Sequence, residues 1–175
     1  MKVTIESLSG KFDEHQLDDS VLFAFIEYGE KVFSSLYKML ENGTSNEKRN
    51  CAHAIRQWWL RKLYRDWIWK EAVPLMINNL TDQDYYTRGY TAIVLCDIKS
   101  PDAFEKLLDL AKDHDEYVRH CFASSIVNFD DQRAIEALEW ILENDKGYRT
   151  IQGFEAPYRQ YNADVAKQSI ARLKG

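Results

Sequence analysis

Positions 72, 103 and 134 of this chain are all alanine, and a whole set of neighbours keeps the same 31-residue spacing. Val73, Phe104 and Ile135 follow it, as do Met76, Leu107 and Leu138, and Leu80, Ala111 and Leu142. Behind them come the pairs Asp82/Asp113, Asp84/Asp115, Tyr86/Tyr117, Arg88/Arg119, Ala92/Ala123 and Leu95/Ile126. A fixed period of this length marks a stack of small units, none of which can bury its own apolar face alone. It constrains the fold more than the activity, because such stacks are frames for binding surfaces.

Within the lattice, apolar residues recur at helical spacing. The pattern predicts helices near 20–41, 46–63, 70–80, 84–96, 101–112, 115–128, 132–144 and 163–173. Asp18, Asp19 and Ser20 offer N-caps to the first, and Asn42-Gly43 a stop. Pro101 suits the first turn of another helix. No stretch sustains strand alternation. The expected fold class is therefore all-α, an α-α superhelix of four antiparallel hairpins with no sheet, in a single domain over 1–175. Residues 1–17 read as an irregular leader. From Arg119 to its equivalent at Ala166 is 47 residues, one period plus 16, which places an inserted loop at 145–162 of the last repeat.

Net charge is −5 and is segregated: −4 over residues 1–45, +5 over 46–70, −10 over 71–145 and +4 over 146–175. An acidic middle between two basic, aromatic-rich stretches bears on partners and association rates rather than on fold. Cys51, Cys96 and Cys121 are odd in number and form no CxxC pair, so they read as core thiols in a reducing, cytoplasmic setting. The first residues lack the apolar core of a signal peptide. No run approaches the roughly 20 apolar residues of a membrane span.

The segment Val118-Arg119-His120-Cys121-Phe122-Ala123-Ser124-Ser125-Ile126 has a counterpart in Thr87-Arg88-Gly89-Tyr90-Thr91-Ala92-Ile93-Val94-Leu95. The preceding helix pattern reads Asp131-Gln132-Arg133-Ala134-Ile135-Glu136-Ala137-Leu138. Together these resemble HEAT repeats, particularly the short type of phycobilisome lyases and many bacterial proteins. The resemblance implies an α-solenoid and is almost silent on activity. In such a stack Arg88 and Arg119 are expected to reach turn Asp residues such as Asp82 and Asp113, of their own or a neighbouring repeat, as a structural ladder and not a substrate site.

Catalytic spacings are absent. There is no Gly-rich phosphate loop, no GxSxG and no HExxH. His114 and His120 are six apart and do not share a helical face. HEAT-type hydroxylases hold iron with His-Glu pairs; this chain has only Glu14-His15, reversed and in the leader. No cofactor, metal or catalytic residue is expected. The alternative is a DNA-binding protein related in fold to alkylpurine DNA glycosylases, for which Arg56–Lys70 supplies Trp, Arg and Asp residues. The net −10 of 71–145 opposes phosphate binding.

Two surfaces are candidates. On the second helix, Ala52, Ile55, Trp59 and Leu63 share the inward arc, which leaves Trp58, Arg61, Lys62 and Arg65, with Trp69, on an outer one. In the insertion, Phe154, Tyr158, Arg159 and Tyr161 have no lattice counterparts. The expectation is a monomeric, non-enzymatic module that binds another protein, without nucleic acid or membrane. A bacterial immunity protein holding a basic toxin is the narrower form of that reading.

Overall fold

The computed structural model describes residues 4–14, 18–152 and 157–175. Its helices are α1 (Ile5–Ser9), α2 (Asp19–Glu27), α3 (Phe33–Asn42), α4 (Ser45–Leu60), α5 (Arg65–Trp67), α6 (Val73–Asn79), α7 (Tyr85–Ile98), α8 (Phe104–Asp109), α9 (Glu116–Ser125), α10 (Ala134–Asn144) and α11 (Asn162–Lys174). Four antiparallel hairpins, α3–α4, α6–α7, α8–α9 and α10–α11, stack into an all-α superhelix. The second helices α4, α7, α9 and α11 lie side by side in one layer. In the other layer α3 packs on α6, and α8 on α10.

The lattice alanines explain the close approach. Ala72, Ala92, Ala103, Ala123 and Ala134 are fully enclosed, so neighbouring backbones meet without a large side chain between them. Gly89 has the same role more sharply: a Cβ there would lie 2.6 Å from the Tyr117 ring of the next hairpin. Two of the second helices, α7 and α9, start at Asp N-caps, Asp84 accepting from the Thr87 amide and Asp115 from that of Tyr117. These caps satisfy amides that the helix itself leaves unpaired.

Several expectations are corrected. The leader is not wholly irregular: Thr4 and Ser7 form a capping box on α1, and Leu8 and Phe12 are buried. The helix expected over 20–41 breaks at Gly29, whose φ of 58° is the left-handed conformation glycine tolerates best. The helix expected to reach Leu63 ends at Leu60. The Leu63 amide donates to Trp58 O and the Lys62 amide to Trp59 O, with Lys62 left-handed at φ 62°. That is a Schellman stop built without glycine. Leu63, expected inside, is consequently 41% exposed. Leu142 is exposed too, although Leu80 and Ala111 at equivalent positions are buried; among the described residues α10 is the outermost helix of its layer.

The inserted loop contains a sheet where none was expected. Strand β1 (Tyr148–Ile151) pairs antiparallel with β2 (Tyr158–Tyr161), Tyr148 facing Tyr161 and Thr150 facing Arg159. Both strands are four residues long, too short for alternation to show in sequence, yet Tyr, Thr and Ile favour the pleated backbone.

Candidate functional site

Along the turns, charged side chains join successive hairpins. Arg88 grips Asp113 through Nε and an Nη, both at 2.8 Å, and donates to the carbonyls of Asp82 and Gln83. Arg119 grips Asp145 at 2.7 and 2.8 Å and donates to Asp113 O. Before them, Lys48 and Ser45 hold Asp82 at 3.0 and 2.6 Å. Each rung ties one hairpin to the next, and bidentate guanidinium–carboxylate pairs are the strong form of such bonds. Burial raises the Asp113 and Asp145 carboxyls, but bonds from Arg88 and Arg119 with those from nearby amides outweigh it and hold both below the usual range. Every member is committed to a structural bond, so the row offers no free group for chemistry.

The residues expected on the outer arc of α4 separate. Trp58 is not at the surface: it is fully enclosed, edge-on to Phe33 and Tyr64 with Trp67 nearby. A helical wheel could not show this, because the chain reverses at left-handed Lys62 and Tyr64 and folds Trp67 back onto α4. Arg61, Lys62 and Arg65 are exposed, as is Trp69 at 41%. Arg65 lies 4.5 Å above the Trp59 ring, which stacks on Trp69, and Arg61 lies 5.4 Å above Phe23. Leu60 is 57% exposed beside them. A cationic apolar corner thus exists, with Leu60 and Leu63 in place of Trp58.

In the insertion, Tyr158 and Tyr161 are exposed at 53% and 41%, and the Arg159 guanidinium sits 4.5 Å above Tyr148. Phe154 lies outside the described residues, as does His15. The base of the hairpin is fixed. Asn162 donates to Asp145 and to Glu116 O, His120 bonds Asn162, and the Gly147 amide donates to Asp145. Arg149 lies 5.0 Å above Tyr117, which abuts Tyr86. The hairpin base therefore packs onto the last rung, while its strand ends face outward.

A groove of about 560 Å³ between α8 and α10 was not anticipated. Trp140 is half-buried in it, with Leu108 and Ala111 alongside. Its rim carries Asp109, Glu136, Glu139 and Glu143. Glu139 pairs with Lys174 at 3.3 Å, whereas Asp109, Glu136 and Glu143 make no ion pair among the described residues. Lys112 lies 5.9 Å above the Trp140 ring and Arg133 is held by Glu105 and Asp131. The sequence carried a signal for this site: Glu136, Glu139/Trp140 and Glu143 recur at helical spacing on one face of α10.

Among the described residues, no three His, Cys, Asp or Glu side chains gather as metal ligands, and no helix is long and apolar enough to cross a membrane. The three cysteines are buried free thiols, their titration pushed up chiefly by burial, Cys96 to about 12.

Residues 73–155, from the start of α6 into the insertion, match the family model for HEAT repeats. The matched segment, with its stacked hairpins and turn-to-turn rungs, consists of HEAT repeats. Such repeats commonly serve as protein-interaction modules. A search of curated proteins finds no match.

Proposed function

We propose that this chain is a non-enzymatic interaction module that holds a basic protein, as an immunity or inhibitor protein holds a basic toxin. The observation that carries this reading is the α8–α10 groove, where a half-buried indole lies beneath three carboxylates that make no ion pair among the described residues. Trp is enriched at the centres of interfaces, and rim charge steers encounter with an oppositely charged partner. The net −10 of residues 71–145 extends that field well beyond the groove. An amphipathic helix fits: one apolar side chain against Trp140, with Lys or Arg reaching Asp109, Glu136 and Glu143.

Calorimetric titration with a synthetic Leu/Lys amphipathic helix tests this. One peptide is expected to bind per chain. Trp140→Ala, and separately Glu136→Lys with Glu143→Lys, should weaken it at least tenfold, which is about 1.4 kcal/mol. Equal binding by all three proteins would make the association a non-specific charge effect and sink the assignment. The nucleic-acid alternative keeps Arg61, Lys62 and Arg65 but loses Trp58 to the core, and the acidic groove opposes a phosphate backbone.

A further inference from the structure

The cationic corner after α4 has a chemistry opposite to that of the groove. Leu60, Leu63 and Trp69 are 57%, 41% and 41% exposed, three large apolar side chains open to water within ten residues of chain. Arg61, Lys62, Arg65 and Lys70 are interleaved with them along the chain, and all four are exposed. Among the described residues none of these four makes an ion pair. Their setting is fixed: Leu60 ends a well-packed helix, Lys62 occupies the Schellman position, and Trp69 lies in a π-helical turn (Ile68–Ala72) stacked on Trp59. The Trp59 indole N–H is itself anchored at 3.0 Å on Asp97 O. Exposed apolar side chains with a local excess of unpaired cations, four against the exposed Asp66 within 60–70, mark an interaction site rather than scattered surface hydrophobes.

We infer that this corner is a second docking surface, and that its occupant is an acidic amphipathic segment of a partner protein. Charge complementarity selects the sign: residues 60–70 carry Arg61, Lys62, Arg65 and Lys70 against Asp66, net +3 on a chain whose total is −5. The same figures disfavour a membrane or a nucleic acid, since either would bring a broad anionic surface against the whole acidic body. A helix covers only the corner. Its apolar face would lie over Leu60, Leu63 and Trp69, and its carboxylates would meet Arg61, Lys62 and Lys70. The corner and the α8–α10 groove share no lining residue, so the module carries two surfaces of opposite preference and can bridge a basic protein to an acidic one.

The test is fluorescence anisotropy with a labelled Leu/Glu amphipathic helix as the probe, on the full chain. Binding is expected to weaken at least tenfold in Leu60→Ser with Leu63→Ser, and in Arg61→Glu with Lys62→Glu, with thermal midpoints unchanged. Trp140→Ala should bind this probe like the unaltered chain, which separates a failure here from a failure of the groove. Several results would overturn the proposal. One is unchanged affinity in both corner variants. Another is equal binding of a Leu/Lys helix at the corner. A third is retention of the chain on phosphatidylserine vesicles or duplex DNA, lost in the corner variants, when the peptide does not bind. The last is self-association that the Arg61→Glu, Lys62→Glu variant abolishes, which would make a second copy the occupant.

Discussion

Replacing Asp145 with alanine should be among the most damaging single changes in this chain. Its carboxylate is fully enclosed and accepts four bonds: 2.7 and 2.8 Å from Arg119, 2.9 Å from Asn162 and 2.7 Å from the Gly147 amide. Breaking a buried pair by removing one partner costs roughly 3–5 kcal/mol, because the remaining charge is left uncompensated. Arg119 is 15% exposed and keeps its bond to Asp113 O, which favours the lower end. The orphaned Gly147 N–H adds about 1 kcal/mol. The total of roughly 3–5 kcal/mol is a large part of a typical domain's stability, and at this chain length corresponds to a fall of about 6–20 °C in Tm. Urea unfolding followed by far-UV circular dichroism measures it. Arg119→Met with Asp145→Leu should be less destabilised than Asp145→Ala alone, since no charge is then stranded. A loss under about 1 kcal/mol for the single variant, or a double variant no better than it, would refute the reasoning.

Gly29→Ala should destabilise the N-terminal cap: φ is 58°, and the new Cβ would fall 2.5 Å from the Tyr64 hydroxyl. A cost of about 1–2 kcal/mol is expected from the backbone alone, read by thermal melting. Ala123→Leu should overpack the α9–α11 contact, where Ser169 bonds Ala123 O at 2.6 Å, and cost about 1–3 kcal/mol; an unchanged midpoint would contradict that. For acid stability the sign follows from folded carboxyls of Asp113 and Asp145 lying below their unfolded value of about 3.9. Their stabilisation is complete above that value and is lost as pH falls through the lower folded values. Chemical denaturation at a series of pH values should show this loss setting in below about pH 4, and the Asp145→Ala variant should show a shallower acid slope. In the hairpin, Tyr158→Ala with Arg159→Ala changes exposed side chains, so Tm should move little while binding of a partner that uses the hairpin weakens.

Much of the architecture was legible because the lattice is a packing constraint written directly in residue size. Small residues at 72, 103 and 134 and at 92 and 123 mark where backbones meet, and apart from the span 20–41, broken at Gly29, the helices lie within a few residues of their expected spans. What escaped the sequence depends on long-range geometry. The lattice repeats Asp82 as Asp113 and then points at Asn144, one residue short of Asp145, the carboxylate that receives Arg119. A helical wheel puts Trp58 outside because it shows one buried stripe, whereas α4 is covered twice, by α7 and by Phe33 with the returning Tyr64 and Trp67. The same wheel puts Leu63 inside, because a left-handed Lys62 gives no compositional warning of a helix end. The groove needs α8 and α10 from different repeats, so only its acidic stripe on α10 could be read along the chain.

The central claim is that a basic segment binds between α8 and α10. Amide and indole chemical shifts followed by NMR during titration with the Leu/Lys helix test it most directly. The account expects the saturating shifts to fall on the Trp140 indole and on the amides of Leu108, Lys112, Glu136 and Glu143, with the corner at 60–70 unmoved. Shifts concentrated at the corner or on the hairpin, with Trp140 silent, would contradict it.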